Sequence, residues 1–463
     1  MLPPVAKSTS LRCRLAVALH PGLLLALLLN AACSQFSAVD QPLERWTPEL
    51  DSAATALIDD NRDPGIAVFV AFSGGGTRAA AFAYGVMQGL METRLNVDGT
   101  SQPLLSQVDA ISSVSGGSFV SAYYGLYGDQ IFTDFEEKFL RKDVEGELLW
   151  KLANPVNWVR LLSRTYSRAD MAADYYDEQL FDKSTLRDLQ RPDAPLIIIN
   201  STDLATGSRF SFLQNSFDLL CADQASYPVS RAVTASSAVP VLFSPVTLEN
   251  YAGSCGYPTP AWIASALEDP EITPLKLEAR RISAYLDTKQ QPWLHLVDGG
   301  ISDNLGLRGY FNLIELPASS PQKINTLLGN ELQHIVIISV NAQATHRKDW
   351  VLERYAPSLS EVLGSVSADE MAHYSEDTIE LVNVAYARFA EQQTAAGRPL
   401  TFHFVDVSFN HVADDTERAY LNNIGTNFAL NSKEVSSLIA AGRKVLLESQ
   451  QLQEFLQVAG KHP

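Results

Sequence analysis

The stretch Ile66-Ala67-Val68-Phe69-Val70-Ala71-Phe72-Ser73-Gly74-Gly75-Gly76-Thr77-Arg78 decides the fold. Its unbroken apolar run fits a central parallel strand covered on both faces. Glycines then end the run, and an Ala- and Met-rich segment from about Arg78 to Thr93 reads as a helix. The same strand, turn and helix order follows downstream. Val108-Asp109-Ala110-Ile111 leads into Ser113-Val114-Ser115-Gly116-Gly117, a strand entering a sharp turn with one serine at its apex. Small residues on either side let neighbouring backbone pass close, and the hydroxyl projects from the turn.

Strand signals return at Leu196 to Asn200, Trp293 to Val297, Ile335 to Val340 and Thr401 to Val407, with Arg209 to Leu213 as a hairpin partner. Helices are expected at Arg231 to Ala238, stopped by Pro240, and around Glu370 to Gln392 and Lys433 to Leu456. Strands alternating with helices predict a layered α/β fold with a mostly parallel central sheet and helices on both faces. Residues 129–190 interrupt this as a helical insertion. Phe132, Phe135 and Phe139 recur at helical spacing, and Trp150, Leu152, Trp158, Leu161 and Leu162 follow, broken by Pro155. The insertion reads either as a subdomain packed on the sheet or as an amphipathic lid touching lipid. Residues 250–290 show no clear pattern and read as an excursion.

The chain has 463 residues, 46% of them hydrophobic, enough for one α/β domain with insertions and a sizeable core. Its formal charge is −18 with no offsetting basic run, which argues against nucleic acid as a partner. Broad electrostatic adsorption to anionic lipid is disfavoured for the same reason, so membrane contact would be hydrophobic or covalent. Residues 1–32 carry Lys7, Arg12 and Arg14, then short apolar pieces broken by His20-Pro21-Gly22. They read as a signal peptide, too short to span a membrane. Leu29-Asn30-Ala31-Ala32-Cys33 resembles a bacterial lipoprotein cleavage box, with Cys33 the lipidated residue, although Asn30 stands where such boxes usually have Leu. The alternatives are an ordinary secretory signal cut near Ala32 or an uncleaved anchor. An exported, envelope-anchored protein of the periplasm or outer membrane is therefore expected. Residues 33–62 would be a tether and 63–463 the catalytic body. Export also favours a disulfide between Cys221 and Cys255 over two buried thiols.

Ester cleavage needs a nucleophile, a base and donors for the oxyanion. Ser115 supplies the first. Gly74, Gly75 and Gly76 precede a helix N-terminus, where amides without side chains can approach a substrate oxygen. Losing one such donor costs roughly 3–4 kcal/mol of barrier. Arg78 would fix that loop. The glycines fit neither the dinucleotide pattern nor a P-loop. None of the histidines after Ser115 (His295, His334, His346, His373, His403, His411, His462) stands at a strand end before a glycine turn. Asp298 does, in Val297-Asp298-Gly299-Gly300. A carboxylate raised by partial burial can take the serine proton directly. These features point to a serine hydrolase without a catalytic histidine.

Over roughly residues 64–312 the chain resembles the patatin-like phospholipases. Phe72 to Arg78 looks like the family's oxyanion loop, Ser113 to Gly117 its nucleophile turn, and Asn200 to Gly207 its Thr-Asp segment. Ala235-Ser236-Ser237-Ala238-Val239-Pro240, with Phe243 and Pro245, is similar to its Ala-Ser-x-Ala-x-Pro stretch, and Asp298-Gly299-Gly300 to its base motif. Two departures exist: Ser113 replaces a glycine, and Ala79 to Ala81 replace a Gly-containing stretch. The resemblance implies a three-layer fold and hydrolysis of fatty acyl esters through an acyl-enzyme on Ser115. Asp298 would be the general base, Gly117, Gly299 and Gly300 would support the two turns, and Asp303 and Asn304 would brace the base loop. Asp203 reads as a turn or helix-cap residue rather than a catalytic one. No cofactor or metal is implied. Two other classes compete, an idle membrane-tethered lipid-binding scaffold and a Ser-His-Asp esterase with an unrecognised histidine.

Overall fold

The computed structural model describes residues 38–47, 62–97, 99–163, 165–240, 242–315, 331–345, 349–352 and 354–459. Cys33, the signal segment, His346 and His462 lie outside them. The strands are β1 (Ile66–Phe72), β2 (Arg94–Val97), β3 (Thr100–Pro103), β4 (Val108–Val114), β5 (Leu196–Asp203), β6 (Ser208–Ser211), β7 (Val246–Glu249), β8 (Trp293–Val297), β9 (His334–Asn341) and β10 (Thr401–Ser408). The main sheet runs β10-β9-β1-β4-β5-β8-β7, with β6 beside β5, while β2 and β3 form a separate hairpin. From β10 to β5 every pairing is parallel. Beyond β5 the sheet turns antiparallel through β6, β8 and β7. The mostly parallel sheet is as expected, and β6 is the hairpin partner read at Arg209 to Leu213; strand composition does not carry direction, so the antiparallel entry of β8 and β7 was not legible.

The apolar run of β1 serves two cores. Ile66, Val68, Val70 and Phe72 face one hydrophobic cluster and Ala67, Phe69 and Ala71 the other, as a period of two requires. Each buried Phe or Val here contributes roughly 1.5–3 kcal/mol. On the first face lie α1 (Gly76–Glu92), α2 (Gly116–Tyr127) and, C-terminal in the chain, the helix Ser432–Leu447. The opposite face is covered by the helices Arg308–Glu315 and Leu359–Ala395. This is the three-layer α/β arrangement.

The insertion contains a π-helical stretch Ile131–Leu140, then α3 (Val144–Ala153), α4 (Pro155–Leu161) and α5 (Arg168–Tyr176). Phe135 and Phe139 turn inward, and Phe139 stacks on Phe119 at 4.3 Å between centroids. Trp150, Val156 and Val159 stay 70%, 76% and 77% exposed, with Leu149 and Leu162 beside them in the chain. Residues 250–290 form two helices, Ala261–Glu268 and Pro274–Tyr285, around a small cluster of Ile263, Ala266 and Ala279. Their start signal was present: Thr273 caps the second by accepting the Lys276 N–H, and Pro274 begins it.

Cys221 and Cys255 form a disulfide. Residues 38–47, inside the stretch expected as a tether, lie against that crosslink. The Leu43 N–H donates to the Cys221 carbonyl (2.7 Å) and the Trp46 N–H to the Cys255 carbonyl (3.0 Å). Both Asp40 carboxylate oxygens accept the Glu249 N–H.

α1 crosses Ser432–Leu447 at backbone contact. A Cβ on Gly85 would stand 2.0 Å from the Ile439 carbonyl oxygen, and one on Gly442 would stand 2.2 Å from that of Phe82. Gly85→Ala should therefore destabilise the fold by about 2–3 kcal/mol, read as a lower urea midpoint at unchanged slope. An unchanged midpoint would contradict this packing.

Candidate active site

β4 ends at Val114, and Ser115 takes φ 50° and ψ −120° before α2 begins at Gly116. A non-glycine residue held there stores about 1–3 kcal/mol of strain, so its surroundings must fix it. Ser236 does so. Its hydroxyl accepts the Ser115 N–H (2.9 Å), contacts the Ser118 hydroxyl (2.8 Å) and donates to the Asn200 carbonyl (2.6 Å). The resemblance had placed Ser236 in a motif but gave it no role. Ser113, where a glycine is usual, is accommodated: its hydroxyl lies 2.6 Å from that of Ser121. Gly117 has no such latitude, since a Cβ would come within 2.6 Å of the Phe72 Cβ.

The glycine loop meets this elbow head on. A Cβ on Gly116 would stand 2.0 Å from the Gly76 carbonyl oxygen, so the N-termini of α1 and α2 touch. Neither helix carries a side-chain cap or an acid in its first turn. Two uncapped helix starts converging at Ser115 make a local positive potential. Among the described residues the N–H groups of Gly75, Gly76 and Gly116 find no acceptor. Gly74 must be removed from the expected donor set: its N–H already donates to the Asn304 carbonyl (3.0 Å). That bond ties the glycine loop to the loop after Asp298. The Asn304 side-chain oxygen also lies beside Gly74 and Gly300.

Asp298 arrives by register. Val114 pairs with Asn200, and Thr202 pairs with Val297, so the residues after β4 and β8 both flank Ser201 of β5. The Asp298 N–H donates to the Ala238 carbonyl (3.0 Å), and Gly299 lies close enough to the Asn200 carbonyl (2.4 Å from its ideal Cβ) to exclude a side chain. Burial pushes the Asp298 carboxyl up to about 6, while the Gly300 N–H and the facing Ser115 hydroxyl pull it down. The Thr202 hydroxyl donates to the Asp298 carbonyl (2.9 Å). Asp203 is a turn residue, as read, accepting from Ala205, Thr206 and Gln291. Asp303 accepts the Leu307 and Arg308 N–H groups.

Arg78 is buried and donates to the Ile424 carbonyl (2.9 Å), linking the glycine loop to the C-terminal part of the chain. Burial lowers its guanidinium to about 10. His295 pairs with Thr247, His334 with Thr401 and His411 with Asp406. Among the described residues no histidine hydrogen-bonds to Ser115 or Asp298. Among the described residues no group of three His, Cys, Asp or Glu side chains could hold a metal ion.

A family model described as patatin-like phospholipase matches residues 70–309, more than half of the chain. No curated protein matches it in sequence. Solved structures of human GIVD cytosolic phospholipase A2 are similar at 14% identity, covering 92% of this chain and 69% of that one, with a TM-score of 0.41. The same human protein with methyl gamma-linolenyl fluorophosphonate and terbium chloride matches at 13% identity, 95% and 64% coverage and a TM-score of 0.39.

Because its folded pKa is raised, Asp298 costs stability as pH rises. Relative to an unfolded carboxyl near 3.8, the loss grows from about pH 4 and is complete above about 6. Asp298→Asn should thus be more stable than the wild type at pH 8, by on the order of 3 kcal/mol, with the gap closing below pH 4. Asp40, likewise raised to about 6, titrates in both proteins and cancels. Denaturant curves at pH 4 and 8 check this; a gap independent of pH would refute it.

Proposed function

The chain belongs to the patatin-like phospholipase family, and from that membership we propose that it hydrolyses fatty acyl esters of lipids through a Ser115–Asp298 dyad. The observation that carries the reading is the strained Ser115 turn, whose hydroxyl faces a buried carboxylate raised to about 6. At neutral pH that carboxylate is ionised and basic enough to accept a proton. The Ser115 hydroxyl attacks the acyl carbonyl as its proton passes to Asp298. The oxyanion is met by the N–H groups of Gly75, Gly76 and Gly116 at the paired helix starts. Asp298 returns the proton to the leaving alcohol. Water, deprotonated by Asp298, then attacks the acyl carbonyl, and Asp298 returns that proton to the Ser115 oxygen as the fatty acid leaves. Ser236 is a positioning residue, holding the turn without touching the reacting atoms.

Membrane contact fits the insertion and the N-terminus. Trp150, Val156 and Val159 give α3 and α4 an exposed apolar surface. Such a surface can enter the interfacial region even though the protein is acidic. Among the described residues no helix is long and apolar enough to cross a membrane. We read Cys33 as a lipid anchor that places the protein at the cell envelope, with residues 129–190 reaching toward the bilayer.

Ser115→Ala and Asp298→Asn should each lower turnover of a short-chain nitrophenyl ester by ~10³-fold or more. A fluorophosphonate should label Ser115, located by mass spectrometry. A histidine variant equally inactive would favour the triad, and no serine-dependent turnover at all would favour the scaffold. Wild-type kcat/KM should fall tenfold per pH unit below about 6, as Asp298 protonates. Val156→Ser with Val159→Ser should weaken sedimentation with neutral phosphatidylcholine vesicles several-fold and leave the soluble ester rate unchanged. Equal vesicle binding would remove the insertion from the membrane contact.

A further inference from the structure

Behind the Asp298 loop lies a cavity of about 210 Å³, away from the Ser115 turn. Arg209 enters it from β6, Arg281 from the helix Pro274–Tyr285 and Arg308 from the start of the helix Arg308–Glu315. Such a cluster runs against the composition of a chain with formal charge −18. Arg209 lies against Gly309, its Nη1 3.4 Å from the ideal Cβ position there, so it is held close to Arg308. The Arg308 guanidinium stacks on Tyr374 at 4.2 Å, and its Nε donates to Thr378 (3.2 Å). All of these arginines act electrostatically on the Tyr374 phenol, which places their charges around one point.

Two acids nearby, Glu278 and Asp303, offset the three arginines only in part. Glu278 pairs with Arg281 alone (3.2 Å). Asp303 is buried; burial pushes its carboxyl up while the charges of Arg209 and Arg308 pull it down, and its oxygens already accept the backbone N–H groups of Leu307 and Arg308. Arg209 is tied through one nitrogen to Asn200 and Ser211, and Arg281 through one nitrogen to Glu278. The Nε and Nη2 of each have no acceptor among the described residues. Like charges held together with spare donors fit an oxyanion carrying two charges, because guanidinium forks match phosphate oxygens. The volume is ample for a phosphoryl group.

We propose that this arginine-lined cavity binds a phosphomonoester, separately from the acyl-ester site. Leu277, Ile282, Phe311 and Leu381 line its remaining wall and suit a short apolar portion of the ligand. The cavity also touches the base loop. Ser302 lines it, and the Ser302 hydroxyl lies 2.8 Å from that of Thr202, which donates to the Asp298 carbonyl. The proposal does not depend on catalysis by Ser115.

Calorimetric titration of the full chain with inorganic phosphate and with glycerol 3-phosphate tests it. Saturable one-to-one binding is expected, weakening with salt, and it should persist in Ser115→Ala. Arg281→Gln, at an exposed position, should lower affinity about tenfold. Glu278→Gln should raise it several-fold by removing the competing carboxylate. Co-sedimentation with vesicles separates the sources. An Arg281-dependent preference for phosphatidate over phosphatidylcholine vesicles identifies a lipid headgroup, and its absence, with binding of the small phosphates intact, identifies a soluble ligand. Absence of saturable binding to every probe, or binding that neither variant moves, overturns the proposal.

Discussion

Two helices begin at the same place, and the contact between them governs the site. The Gly116 position abuts the Gly76 carbonyl so closely that only hydrogen fits between them. Helix starts normally find side-chain caps or water for their orphan N–H groups. Here neither start has a side-chain cap, and Ser115 is the residue between β4 and α2. The convergence makes the turn steep, leaves amides pointing into one small volume and holds the serine in a left-handed conformation. Ser236 then fixes that conformation by satisfying the Ser115 N–H.

The electrostatics of the site oppose each other by design of the fold. Helix N-termini favour negative charge near Ser115, whereas burial disfavours it on Asp298. The outcome is a carboxylate near 6, ionised at neutral pH yet far more basic than an exposed aspartate. An acid paired with a cation would be stable and a poor base. Among the described residues no ion pair involves Asp298; its partners are the Gly300 N–H and a hydroxyl. The stability lost to this burial is the cost of keeping the group basic.

Outside the site, the C-terminal half of the chain reaches back to the glycine loop at several points. Asn304 accepts the Gly74 N–H, Asn427 accepts the Thr77 N–H and Ile424 accepts from Arg78. The family match ends at residue 309, so the last two of these contacts come from beyond it. The crosslinked loop at Cys221 and Cys255 does similar work at the other end, holding residues 38–47.

Apolar runs, glycine turns and the order of motifs determined the layered sheet, the Ser115 elbow and the position of Asp298 at a strand end. These are local properties: burial on both faces, permissive φ and strand termination are written in neighbouring residues. Partners separated by hundreds of positions were not legible. Ser236 stood in a motif with no role until folding set it under the Ser115 N–H, and Gly74 looked like a donor until Asn304 met it. The antiparallel entry of β8, which brings Asp298 level with the end of β4, depends on pairing direction, and no residue pattern within a strand encodes that. The arginine cavity is the extreme case. Residues 209, 281 and 308 share no motif, and their charges meet only because a hairpin strand and two separate helices pack around one point.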